Sequence, residues 1–199
     1  MSRKAAYPVR KLSGRIASDY GISVVYDGEL TEDSYFRSWQ QVLSQGRLSL
    51  YPSHVVSGGN PLVAVKEAIK IKKKIRNCAE FWCVTDADDA QQKDIDQAWK
   101  DANENNIRLA LSVRCFEVWI SLHFGRSERP WTTEKEAIEC VQQHGFPQYG
   151  NPRKLMLFSD LFPLTQAAID NGIWLSERDC SNPQTNLYAL VRKLKENLS

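Results

Sequence analysis

Short apolar segments alternate with amphipathic segments through the first two-thirds of the chain. The apolar segments are rich in β-branched and aromatic residues and are bounded by turn residues, which predicts strands at 21–26, 48–56 (broken at Pro52), 81–84 and 107–111. The segments between them have helical spacing, which predicts helices at 32–43, 61–76 and 89–105, with Thr31 and Asn60 as N-caps. This alternation indicates an α/β fold with a mainly parallel sheet flanked by helices.

Helical patterns dominate the last third of the chain. Residues 115–124 are strongly hydrophobic and predict a buried helix. Further helices are predicted at residues 133–144, 153–171 (interrupted near Pro163) and 185–198. We therefore expect a C-terminal helical cover over the sheet.

The composition is typical of one soluble globular domain, with 199 residues that are 42% hydrophobic and 25% charged. Residues 1–21 are basic and polar, so we expect a basic N-terminal arm followed by a single domain at 22–199. No segment approaches the ~18 consecutive apolar residues of a membrane span, and the N-terminus has no signal-peptide core. The five cysteines form no CxxC pair, which favours reduced thiols. These features predict a cytoplasmic protein with no membrane contact.

Acidic residues follow the most apolar predicted strand. Asp86 and Asp88 alternate with Ala87, so in an extended segment their carboxylates project from the same side. Carboxylates at the carboxyl end of a central strand suit Mg²⁺ or Mn²⁺. The competing interpretation is a solvated acidic turn that leads into the next helix.

The first strand also ends in acids, Asp27 and Glu29. If the first and third strands are neighbours in the sheet, Asp27 or Glu29 would face Asp86 and Asp88. A divalent ion held there could polarise a phosphodiester and lower the pKa of a bound water. We therefore predict that Asp86, Asp88 and Asp27 bind the ion and that Asp27, with Glu29, handles the proton.

Three segments resemble a known family. Residues 27–36 are similar to its EGxxTExxYF opening, residues 116–124 to its FExWxxxHF segment and residues 182–191 to its NPxTxxxxLV segment. These are motifs of the RloB-like proteins, a Toprim-related group associated with bacterial antiphage and abortive-infection loci. The resemblance implies a Toprim-like, Rossmann-like fold and a Mg²⁺- or Mn²⁺-dependent nuclease that cleaves RNA, including tRNA, or DNA. It also implies an ABC-type ATPase partner encoded in the same defence locus.

The resemblance extends to individual site residues. Asp27 stands where the family usually has Glu, the residue that acts as general acid/base or metal ligand in Toprim enzymes, and its side chain is one methylene shorter. Either Glu29 or Glu32 compensates for that loss, or the site is weakened. The match implies that Glu117 is a third ligand or an orienting group in catalysis. Arg114 lies where relatives tend to have Pro, and its charge would suit a phosphate.

Other candidate residues have two interpretations each. Lys72, Lys73 and Lys74 belong to a basic stretch that would either follow a nucleic-acid backbone or form a solvated helix face. His123 is either a core histidine or a second nucleic-acid contact. Two rival functions also stay open. One is a catalytically degenerate Toprim-like module that binds nucleic acid or a partner protein, and the other is an enzyme for a small phosphorylated molecule.

Overall fold

The computed structural model describes residues 20–44, 46–75, 78–87, 89–147, 149 and 158–198. Its sheet contains β1 (Tyr20–Tyr26), β2 (Leu48–His54), β3 (Glu80–Asp86), β4 (Arg108–Val113) and β5 (Gln184–Thr185). The strand order is β2-β1-β3-β4-β5, in which β1 to β4 are parallel and β5 pairs antiparallel with β4. The predicted α/β class with a mainly parallel sheet is therefore confirmed.

Helices cover both faces of this sheet. They are α1 (Thr31–Leu43), α2 (Pro61–Lys72), α3 (Gln92–Glu104), α4 (Glu117–Ser121), α5 (Glu134–Gln143), α6 (Phe158–Leu161), α7 (Thr165–Ser176) and α8 (Tyr188–Glu196). Helices α2 and α3 share one core with Val25 and Cys83, whereas α1 and the C-terminal helices share another with Tyr26 and Val84. Successive strand residues thus serve opposite cores, as the two-residue period of a strand requires. Within the described residues, no helix is long and apolar enough to cross a membrane.

One of the two predicted N-caps is confirmed, and the other is wrong. The Asn60 side chain accepts hydrogen bonds from the backbone amides of Leu62 and Val63, with Pro61 in the first turn of α2. Thr133 caps α5 by accepting from the amide of Glu136. The N-cap predicted at Thr31 is wrong, because Thr31 is already helical and Leu30 precedes it without a side-chain cap.

Several predicted boundaries also need correction. Strand β2 continues through Pro52, which an edge strand tolerates because one of its sides carries no ladder. Helix α3 begins at Gln92 rather than at 89, and the buried segment 115–124 is helical only from Glu117 to Ser121. The last two residues of the predicted arm, Tyr20 and Gly21, belong to β1. Residues 1–19 lie outside the described residues.

Asparagine side chains secure the edge of the sheet near β5. Asn186 accepts from the Leu111 amide at 2.7 Å and donates to the Leu109 carbonyl at 2.8 Å, so its amide group replaces a strand neighbour of β4. Asn182 makes the same pair of bonds with the backbone of Trp131. This motif segment therefore holds β4 and the loop at Trp131 in place.

Candidate active site

The carboxyl ends of β1 and β3 lie side by side, so the condition for bringing their acids together is met. The chain leaves β1 toward β2 on one side and leaves β3 toward β4 on the other. In open α/β sheets, such a switch point forms a crevice where ligands bind.

A cleft of about 270 Å³ opens at this switch point, and we call it the acidic cleft. Its carboxylates come from β3, from the segment that joins β1 to α1, and from the first turns of α1, α4 and α5. The lining residues are Gly28, Glu29, Leu30, Thr31, Glu32, Asp86, Cys115, Glu117 and Glu134. The fold thus gathers acids that are distant in sequence on one side of the sheet.

Glu117 accepts a hydrogen bond from a buried tyrosine. Its side chain is only 3% exposed, and the hydroxyl of the fully buried Tyr149 donates to its Oε1 at 2.5 Å. The Tyr149 hydroxyl also lies 3.4 Å from Oγ1 of Thr31. Burial and the charge of Glu117 raise the pKa of Tyr149 far above its ordinary value, so the phenol stays protonated and donates.

Glu32 reaches the cleft because of a glycine. The residue is 8% exposed, and its carboxylate lies directly against Gly28. A Cβ atom at position 28 would come within 1.8 Å of Oε2 of Glu32, far inside van der Waals contact. Gly28 is therefore required for the observed position of the Glu32 carboxylate.

Cys115 lies close enough to two of the acids for their charges to affect its thiol. Burial raises the pKa of its thiol, and the charges of Glu117 and Asp86 raise it further. The thiol is therefore neutral and forms part of the wall of the acidic cleft.

Asp27 lies on the other side of the sheet. Its Oδ2 accepts hydrogen bonds from Ser57 Oγ at 2.6 Å and from Thr85 Oγ1 at 2.8 Å. Thr85 and Asp86 are consecutive in β3, so they project from opposite faces. After burial, the charge of Asp27 is the next cause of the raised pKa of Cys83, which belongs to the α2–α3 core. Of the two residues expected to face Asp86, Glu29 lines the acidic cleft with it and Asp27 does not. The predicted role of Asp27 as a ligand beside Asp86 is therefore corrected.

The donor atoms of the acidic cleft suit a hard divalent cation, since they are carboxylate oxygens. Asp86, Glu32 and Glu117 come from three separate elements, and all three line the acidic cleft. Among the described residues, no three His, Cys, Asp or Glu side chains are already arranged as a metal-ligand group. Asp88, the other predicted ligand, lies outside the described residues.

A second, larger cleft of about 710 Å³ adjoins the acidic cleft and shares Glu134 with it. We call it the Arg114 groove, and its lining residues are Gly58, Gly59, Asn60, Asp89, Ala90, Arg114, Thr132, Thr133 and Glu134. The Arg114 guanidinium pairs with the carboxylate of Asp89 and donates to the Thr132 carbonyl at 2.8 Å. A fixed cation therefore stands beside the acids.

The remaining candidates do not line either cleft. Lys72 donates to the carbonyls of Asn105 and Asn106 at 2.6 and 2.7 Å, so it binds the end of α3. Lys73 and Lys74 follow directly at the end of α2, near the amino ends of the strands and away from the acidic cleft. Their helix starts at the carboxyl edge of the sheet and finishes at the opposite edge.

His123 is a core residue in this structure. It is 3% exposed, and its Nδ1 donates to the Trp119 carbonyl at 3.1 Å. Its Nε2 has no hydrogen-bond partner among the described residues. Burial lowers the pKa of His123 to about 4, so the ring is neutral near pH 7.

Two features of the acidic cleft were not predicted from the sequence, namely Glu134 and the contact between Thr31 and Tyr149. Glu32 was predicted only as a residue that could compensate for the shorter side chain of Asp27. A Gly four residues before an acid at a helix start is the signal that could have identified it. Tyr149 has no such signal, because it contacts Glu117 from 32 positions away.

Comparison with known proteins supports the motif resemblance over nearly the whole chain. The family described as RloB-like protein matches residues 22–194. Comparisons with curated proteins and with solved structures gave no match. Because the match covers far more than half of the sequence, the chain belongs to the RloB-like protein family.

Proposed function

We propose that this protein is a Mg²⁺- or Mn²⁺-dependent nuclease. The observation that carries the proposal is the convergence of Asp86, Glu32 and Glu117 on one cleft at the switch point between β1 and β3. These three residues would hold the ion, and Asp88 stays a predicted fourth ligand. Glu29, which is exposed at the same cleft, is placed to exchange a proton with solvent.

A bound divalent ion would polarise the phosphodiester and lower the pKa of an attacking water. The chain itself supplies the other requirements. Arg114 offers a guanidinium to a neighbouring phosphate, and the neutral thiol of Cys115 adds no competing anion. Tyr149 holds Glu117 through its hydroxyl hydrogen bond.

The proposed substrate is a polynucleotide, either RNA (including tRNA) or DNA. The Arg114 groove lies next to the acidic cleft and leaves room for a strand that extends beyond the cleaved bond. The proposal includes a cytoplasmic role as an antiphage effector that works beside an ABC-type ATPase, which is what the resemblance to RloB-like proteins implies. Activity on small phosphorylated molecules would be much weaker, since these cannot contact both clefts.

One observation favours a second candidate function, a non-catalytic module that binds nucleic acid or a partner protein. Asp27 occupies the position of the family's usual Glu, yet its carboxylate binds Ser57 and Thr85. A chain that has lost its catalytic activity would still retain Asp27 for this structural role.

Incubation of the purified protein with labelled tRNA, single-stranded DNA and duplex DNA separates the two functions. The nuclease should cleave at least one substrate with Mg²⁺ or Mn²⁺ and none with EDTA. Asp86→Asn should abolish cleavage, whereas the matched control Asp96→Asn, an exposed acid on α3, should cleave like the parent. Binding without cleavage under all metal conditions would establish the non-catalytic function instead.

A further inference from the structure

Tyr149 is anchored to α5 and inserted fully into the core. Its carbonyl accepts from the Gln142 side chain at 2.6 Å, and its amide donates to the Phe146 carbonyl at 2.9 Å. The side chain is 0% exposed. Both backbone groups and the ring therefore have defined places, so the hydroxyl is held at a fixed point.

That fixed point lies between two walls of the acidic cleft. The Tyr149 hydroxyl donates to Glu117 Oε1 at 2.5 Å and lies 3.4 Å from Thr31 Oγ1. Thr31 begins α1 and Glu117 begins α4, and both residues line the cleft. The phenol thus joins two elements that are brought together only by the tertiary fold.

Another buried tyrosine provides a useful comparison. The hydroxyl of Tyr35 accepts from Trp119 Nε1 at 3.0 Å, which is a contact inside the hydrophobic core. Tyr149 differs because its partner is a carboxylate at the cleft. A hydrogen bond to one carboxylate oxygen restricts the rotation of the acid, as partners behind metal-binding groups do in other proteins.

We infer that Tyr149 is a positioning residue, which holds the Glu117 carboxylate at the wall of the acidic cleft in the orientation that a divalent ion requires. The inference rests on the proposed function. Removal of the hydroxyl would let the carboxylate rotate. Binding of the ion would then have to order the carboxylate as well, which would weaken the affinity for the ion.

The test is the Tyr149→Phe substitution in the full chain, with Mn²⁺ as the probe. Thermal melts across a MnCl₂ series give the half-saturating concentration, because an ion bound by the folded state raises the melting temperature. We expect this concentration to rise about tenfold, the lower end of the usual loss for partners of metal ligands. Tyr35→Phe removes the same atom from the same core and should keep the parent concentration, whatever its effect on stability in EDTA.

A second background shows whether Tyr149 acts through Glu117. In Glu117→Gln, the added Tyr149→Phe change should not alter Mn²⁺ binding further, since coupled residues are not additive. If Tyr149→Phe does not fold, Gln142→Ala releases the Tyr149 backbone and should raise the Mn²⁺ requirement to a smaller extent.

The outcomes separate this inference from the proposed function. A parent that responds to Mn²⁺ and a folded variant with the same half-saturating concentration would overturn the role of Tyr149 alone. A parent with neither a Mn²⁺ shift nor cleavage would overturn the proposed function and this inference together.

Discussion

Protonation of His123 should destabilise the fold in a defined pH range. The buried ring has a pKa of about 4 in the folded chain, against 6.5 for an ordinary histidine. Between these values, the unfolded chain binds a proton at this site and the folded chain does not. The contribution of the neutral His123 ring to stability is therefore fully present above about pH 6.5, and it is lost as the pH falls toward about 4.

The size of the effect follows from the difference between the two pKa values. Each pKa unit corresponds to about 1.4 kcal/mol, so lowering the pH from 7 to 4.5 should cost about 2 to 3 kcal/mol through His123 alone. That loss is a large fraction of the total stability of an ordinary domain.

Urea unfolding of the parent and His123→Gln at pH 7 and pH 4.5 measures this contribution. The carboxylates titrate in both proteins, so the difference between their two pH-dependent losses isolates His123. The parent should lose more stability than the variant by the amount given above. His144→Gln, which alters an exposed imidazole, should behave like the parent. Equal losses in the parent and His123→Gln would refute the reasoning.

Three further predictions concern the acids. The double variant Asp86→Asn, Asp88→Asn should fold normally and lose the Mn²⁺-dependent thermal shift, and a shift equal to the parent's would place the ion elsewhere. Asp27→Ala leaves two hydroxyls without their acceptor, so urea unfolding in EDTA should show a loss of about 1 to 3 kcal/mol. Gly28→Ala should displace the Glu32 carboxylate and raise the half-saturating MnCl₂ concentration in thermal melts, and an unchanged value would remove Glu32 from the ion site.

The order and type of most elements were predictable from the sequence. The hydrophobic pattern placed the first strand at 21–26, and the structure has it at Tyr20–Tyr26. The start of α2 was predicted correctly because Asn60 and Pro61 form a local signal. Such features depend on a few consecutive residues, so they can be recognised without knowledge of the fold. The position of Asp86 at a carboxyl edge was predictable for the same reason.

The sides of the sheet that the acids face were decided by the tertiary structure. Asp27 directly follows β1 and Asp86 is the last residue of β3, and nothing in the local sequence distinguishes the two positions. The register of β1 against β3 aligns Tyr26 with Val84, and Asp27 then turns toward Thr85 instead of Asp86. Because side chains alternate along a strand, a difference of one position transfers an acid to the opposite face.

Contacts between distant segments were also beyond the reach of the sequence. Tyr149 meets Glu117 across 32 positions, and Lys72 meets Asn105 across 33. Strand β5 exists because Gln184 and Thr185 pair with β4, although the local pattern there indicates only a helix. The sequence by itself therefore determined the elements and the acids at their ends. The packing of those elements decided which side chains meet, because each such contact depends on the register and orientation of two segments at once.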